Sequence, residues 1–186
     1  MEKNIYYFRE SESYEKDGYG YAESSDEVDS VWIYQGAPLK EDEEDKTWEI
    51  PVFCMEYGKF SDYLDNDCGW CLCSERLKSI LEQHIDNAFK VQWLPVNIRG
   101  DETMQTYYAL LIETPLVQKD IVDYVKSKKL RDGEVYLPHF MYIKIKDFPL
   151  FVVDEYPSYV FVSDKLKQIL EDEKITGLGF QNRKAS

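Results

Sequence analysis

The chain has 186 residues, of which 44% are hydrophobic and 15% aromatic, and its 36 acidic and 22 basic side chains give a net charge of −14. This composition excludes an intrinsically disordered chain, and the negative charge argues against binding to nucleic acid or to an anionic membrane. The first residues, MEKNIYYFRE, lack the apolar segment of a secretory signal, and no apolar run is long enough to span a bilayer. We therefore expect a soluble, cytoplasmic protein with reduced cysteines.

The negative charge is concentrated at the beginning of the chain. Residues 1–67 contain 19 acidic and 6 basic side chains, a net of −13, whereas residues 68–186 contain 17 and 16, a net of −1. A field of this sign speeds the encounter with a basic partner, although acidity can also serve solubility alone. We expect a single globular unit over residues 1–186, with an acidic, aromatic-rich N-terminal region at 1–67 and a duplicated body at 68–186.

Short segments rich in β-branched and aromatic residues predict strands along most of the chain. The polar stretch 10–30 contains Gly18 and Gly20 and is predicted to be irregular. The stretch 119–130, KDIVDYVKSKKL, fits a short helix or a bent strand equally well. The predicted strands lie at residues 5–9, 31–35, 49–57, 89–99, 107–113, 134–145, 150–154 and 158–162.

Two stretches of the chain match each other. Residues 73–82 read CSERLKSILE and residues 162–171 read VSDKLKQILE, with six identities at a constant offset of 89. Each copy follows an apolar strand and precedes another, which indicates an internal strand–helix–strand repeat at about 69–98 and 158–181. With the predicted strands, this repeat indicates an α+β fold of mixed, largely antiparallel sheets and a few short helices.

The repeat also predicts where its two helices begin. Ser74 and Ser163 each precede an acidic residue and an apolar stripe at helical spacing, which is typical of an N-cap whose hydroxyl accepts from a backbone N–H. Leu77 and Leu81 of the first copy should lie on the buried face of a small helix packed across a sheet.

The segment Cys68-Gly-Trp-Cys71 has the spacing of a redox dithiol or of half a zinc site. However, Cys71 and Cys73 correspond to Val160 and Val162 in the second copy, and two residues apart in a strand they would face the same side. The helix is predicted to begin only after these cysteines, so its dipole cannot activate them. We interpret them as buried structural thiols and expect no metal and no cofactor. A thiol- or zinc-dependent protein using Cys68 and Cys71 remains the alternative.

No arrangement in the sequence indicates catalysis. The chain has no G-x-S-x-G motif, and neither His84 nor His139 has an evident nucleophile nearby in sequence, so we expect no enzymatic activity and no catalytic residue. The remaining candidate surface is an acidic run beside a tryptophan, since carboxylates steer and aromatic rings supply contact area. Such rings also commonly belong to the core. The predicted partner-binding residues are Glu41, Asp42, Glu43, Glu44, Asp45 and Trp48.

The motifs IVDYVKSKKL, MYIKIKDFPLFVV, YVFVSDKLKQIL and ITGLGF follow one another between residues 114 and 180. The earlier copy of the repeat reads WCLCSERLKSILEQH and is followed by FKVQWLPV. Together these motifs resemble a bacterial domain family, formerly of unknown function, that is grouped with the predicted immunity proteins of polymorphic toxin systems. The resemblance extends over roughly residues 69–181 and marks a fold rather than a chemistry.

The resemblance implies a non-enzymatic, cytoplasmic protein that binds a cognate protein toxin and protects the cell that produces it. Many such toxins are nucleases with basic clefts, and an acidic inhibitor would suit a target of that kind. The second alternative is a homo-oligomeric interaction module of unknown role, for example a homodimer paired through an exposed strand edge.

Overall fold

The chain forms two compact units, each assembled from segments that are distant in sequence. The barrel unit comprises Glu10–Thr114 and Ile175–Gly179, and the sheet unit comprises Met1–Arg9, Pro115–Lys174 and Phe180–Ser186. The computed structural model describes residues 3–11, 14–24, 28, 48, 50–85 and 90–186.

The described residues form strands linked by turns and short helices, and the predicted α+β fold class is confirmed. The helices, in chain order, are α1 (Tyr14–Asp17), α2 (Glu75–His84), α3 (Gln118–Ile121), α4 (Tyr142–Ile145) and α5 (Asp164–Asp172). The strands, in chain order, are β1 (Lys3–Glu10), β2 (Tyr21–Ser24), β3 (Val52–Tyr57), β4 (Tyr63–Asn66), β5 (Leu72–Cys73), β6 (Val91–Arg99), β7 (Met104–Ile112), β8 (Lys128–Lys129), β9 (Val135–Leu137), β10 (His139–Phe140), β11 (Leu150–Val153), β12 (Tyr156–Ser163) and β13 (Leu178–Ala185).

The barrel unit is built on a closed barrel with the strand order β2-β3-β6-β7-β5-β4. The neighbours β3 and β6 run parallel, as do β2 and β4, and the other pairs are antiparallel. Buried residues alternate along β6, as expected for a strand with one face toward a barrel interior. Large side chains fill that interior, among them Phe53, Leu64, Trp70 and Ile98.

The sheet unit contains a five-stranded sheet with the order β10-β13-β1-β12-β11. Its core is centred on Phe140, Phe151 and Phe161, whose ring centroids lie 5.0 to 5.6 Å apart. At the two edges, isolated bridges join Val122 to β10 and Leu116 to β11.

The two matched helices begin as the sequence predicts. The Ser74 hydroxyl accepts a hydrogen bond from the Leu77 backbone N–H at 3.1 Å, and the Ser163 hydroxyl accepts from the Leu166 N–H at 3.2 Å. Leu77 is buried, as is Leu166. Both N-cap predictions are therefore confirmed. Among the described residues, no helix is long and apolar enough to cross a membrane.

Three local predictions need correction. The predicted strand at 134–145 ends early, because Tyr142 and Ile145 face the core together at the helical spacing of α4. The stretch 10–30, predicted to be irregular, contains α1 and also β2, whose Ala22 is buried inside the barrel. The ambiguous stretch 119–130 includes most of α3 and all of β8.

The remaining strand predictions divide into those that the structure tests and one that it does not. The predicted strands at 5–9, 49–57, 89–99, 107–113, 150–154 and 158–162 all correspond to strands whose bounds lie within three residues of the expected ones. The predicted strand at 31–35 lies outside the described residues.

Candidate partner-binding surface

The cysteines of the motif that resembles a redox site are buried. The Cys71 and Cys73 sulfurs lie 3.8 Å apart, which confirms that the two side chains face the same side of the chain. Burial raises the pKa of the Cys68 thiol to about 11, and it also raises the pKa of Cys73. A redox-active or metal-binding cysteine needs the opposite shift, because the thiolate is the reactive form. The described residues contain no group of three or more His, Cys, Asp or Glu side chains placed to hold a metal.

The two histidines occupy different environments. His84 is exposed at the end of α2, whereas His139 is buried on β10 with its Nε2 atom 3.0 Å from the Ser186 hydroxyl. Lys126 donates to the same hydroxyl at 2.7 Å. In the described structure no group hydrogen-bonds the Nδ1 atom of His139, so this serine–histidine pair lacks the third member that orients the base of a catalytic triad. Sequence reasoning missed the pair because its members are 47 positions apart.

The Asp62 carboxylate accepts several hydrogen bonds from within the barrel unit. Its carboxylate accepts from the Ser74 hydroxyl at 3.0 Å, from Arg76 at 3.0 Å, and from the Thr176 N–H and hydroxyl at 3.0 and 2.8 Å. These bonds join the turn before β4 to the start of α2 and to the returning segment Ile175–Gly179. Asp62 is therefore a structural acid whose hydrogen-bonding capacity is used within the unit.

The negative charge belongs to the barrel unit. Its two segments contain 24 acidic and 8 basic side chains, a net of −16, whereas the sheet unit contains 12 acidic and 14 basic side chains, a net of +2. The acids beyond residue 67, such as Asp101 and Glu102, account for part of this difference. Residues 10–67 carry 18 acidic and 4 basic side chains, or −14 of the −16, so the charge concentrated at the beginning of the chain lies almost entirely within the barrel unit.

The structure describes one of the predicted partner-binding residues. The Trp48 indole N–H donates to the Pro95 carbonyl at 2.9 Å, and the ring packs 6.1 Å from that of Trp70 against the barrel core. Trp48 is partly buried, and these two contacts fix its position on the barrel. The acidic residues that precede it, Glu41, Asp42, Glu43, Glu44 and Asp45, lie outside the described residues.

The model of the Immunity protein family (Imm11) matches residues 45–185. The chain belongs to this family. The match confirms the family resemblance seen in the sequence, and it covers β3 to β13 of this Imm11 protein. Glu41 to Glu44 precede the matched segment. A search of curated proteins found no match.

Proposed function

We propose that this Imm11 protein binds a cognate protein toxin and neutralises it by covering the toxin's active site, with no catalytic activity of its own. Membership of an immunity protein family is the observation that carries this proposal. The raised pKa values of the Cys68 and Cys73 thiols support a binding role over thiol chemistry. The four cysteines are all free thiols, which supports action in the reducing cytoplasm of the cell that makes the toxin.

The chemistry of the barrel unit favours a basic toxin, such as a nuclease. A net charge of −16 attracts a cationic cleft and raises the rate of encounter, by roughly 10- to 1,000-fold in known cases of electrostatic steering. A nuclease cleft is built to bind a row of phosphates, and carboxylates spaced over an acidic surface present similar charges to it. An inhibitor of this kind would compete directly with the nucleic acid.

We propose that an acidic run and one tryptophan form a surface that contacts the toxin. Its residues are Glu41, Asp42, Glu43, Glu44, Asp45 and Trp48. Most of the acidic run lies before the segment that matches the family, which is where recognition of one particular toxin would vary between family members. Trp48 adds an aromatic ring that the barrel already holds in place, so little side-chain entropy would be lost when a partner covers it.

The test is reconstitution with a candidate toxin domain, sought first among the genes that adjoin the one for this chain. Purified protein is expected to abolish the toxin's activity at a stoichiometric ratio, and stopped-flow fluorescence should show an association rate that falls steeply as salt is added. A toxin that retains full activity in the presence of excess protein would contradict the proposal. Association that does not depend on salt would contradict the electrostatic part alone.

A further inference from the structure

One end of the barrel carries a groove with an aromatic floor and an acidic rim. Strands β3 and β6 are parallel and pair Cys54 with Arg99, so the residues that follow each strand leave the barrel at the same end. The groove that they border has a volume of about 510 Å³, within the range of pockets that bind small molecules. Its rim includes Glu56 from the end of β3 and Asp101 and Glu102 from the turn between β6 and β7.

The floor of the groove is held in place by the barrel. The Phe60 ring stacks on Tyr107 at a centroid distance of 6.3 Å and an angle of 28°, and the Tyr107 hydroxyl donates to the Ser61 carbonyl at 2.6 Å. The Gly100 backbone also packs against Phe60, so closely that a Cβ added at Gly100 would lie 3.1 Å from the Phe60 ring. The aromatic surface is therefore already positioned before any ligand arrives, which reduces the entropy cost of binding.

The rim of the groove carries three carboxylates with no cation paired to them among the described residues. Glu56, Asp101 and Glu102 are exposed, and within the described part of the chain none of them forms an ion pair, whereas Glu75 and Glu82 both contact the Lys78 ammonium. Three like charges around one cavity repel each other, and a cation placed among them relieves that repulsion. The rim thus offers acceptors and charge without a cation of its own.

We propose that this groove receives an arginine side chain of the toxin. A guanidinium can stack on the face of Phe60 while its N–H groups donate to the surrounding carboxylates, a combination that its planar shape and five donors allow. A lysine ammonium could meet the charge but would not match both the flat ring and several acceptors. This inference rests on the proposed function, because it names one contact of the same complex.

The groove can be tested without the toxin by titrating the protein with N-acetyl-arginine methylamide and following its amide resonances by NMR. We expect saturable shifts at Gly58, Gly100 and Thr103 in the millimolar range, and none with the neutral citrulline analogue. Phe60→Leu keeps an apolar floor but removes the ring face, and it should weaken binding roughly threefold. Equal shifts from both compounds, or none from either, would overturn the proposed arginine site.

Two triple variants of equal net charge separate the groove from general acidity. E56Q/D101N/E102Q neutralises the rim, whereas E23Q/E82Q/E113Q removes three exposed charges elsewhere on the barrel unit. Both should slow association with the toxin to a similar extent, since steering depends on the total field. Only the rim variant should dissociate faster, by about tenfold or more, because only it loses direct contacts.

The outcomes distinguish this inference from the proposed function. If the wild-type protein neutralises the toxin but both triple variants dissociate at the same rate, the groove assignment is wrong and the immunity function stands. If the wild-type protein does not bind the toxin at all, both the proposed immunity function and the proposed arginine contact are wrong.

Discussion

Asp62→Ala is expected to lower the free energy of unfolding of the barrel unit by about 3–4 kcal/mol. The Asp62 side chain is only 12% exposed and accepts four hydrogen bonds, two of them from Thr176. Its removal leaves the Thr176 N–H and the Ser74 hydroxyl without that acceptor, and each hydrogen bond to a charged group is worth roughly 1.5–3 kcal/mol. The Arg76 contact adds little, because that side chain is 48% exposed and screened by water.

Two further variants make this expectation quantitative. Asp62→Asn keeps an oxygen that can accept from Thr176 but loses the charge, so it should cost about half as much as the alanine variant. Arg76→Ala should cost less than about 1 kcal/mol. Urea denaturation followed by tryptophan fluorescence is the appropriate assay, since all four tryptophans lie within Glu10–Thr114. If Arg76→Ala destabilised the unit as much as Asp62→Ala, the exposed ion pair rather than the buried hydrogen bonds would dominate, and our reasoning would be wrong.

Further predictions concern a cap, a turn, the thiols and the acidic run. Ser163→Ala should lower the free energy of unfolding by about 1 kcal/mol through loss of the cap, whereas Ser163→Asp should retain most of it in urea denaturation. Gly177→Ala should be more damaging, because φ is +78° and an added Cβ would lie 2.2 Å from the Tyr63 carbonyl oxygen; a normal melting temperature for this variant would contradict that geometry. Because the pKa of Cys68 is raised to about 11, the folded state keeps a proton that the unfolded state releases, so stability should fall between about pH 9 and pH 11. The three buried thiols should react with Ellman's reagent at pH 8 only after unfolding, and rapid reaction in the native protein would refute their assignment as inert. Charge reversal of residues 41–45 should slow toxin association and leave the melting temperature nearly unchanged, and an unaltered association rate would show that the run is not part of the contact surface.

The features that the sequence predicts correctly are those that depend on residues close together in the chain. Ser74 and Ser163 could be assigned as caps because the capping hydroxyl and its donor are three residues apart. The strand at 134–145 was extended too far because YIKI satisfies a strand pattern and a single helical turn equally well. Only the contact of Tyr142 and Ile145 with the same core decides between the two.

Features that depend on distant pairing could not be predicted. The barrel closes through parallel pairs, β3 with β6 and β2 with β4, and such pairs have no turn signal because other elements separate the strands. The groove has the same origin, since Glu56 at the end of β3 and Asp101 in the turn after β6 lie 45 positions apart in the chain. The charge imbalance was visible in the sequence, but its assignment to the barrel unit required the structure.

The bond between Asp62 and Thr176 also has a consequence for synthesis on the ribosome. The two residues are 114 positions apart, so the barrel unit cannot complete this interaction until almost the whole polypeptide has emerged. A product truncated before Ile175 would contain the acidic strands of the barrel but would lack Thr176, whose hydrogen bonds to Asp62 hold the turn before β4 in place. Such fragments should be degraded by cellular proteases more readily than the finished chain, which would leave mainly full-length molecules available for binding.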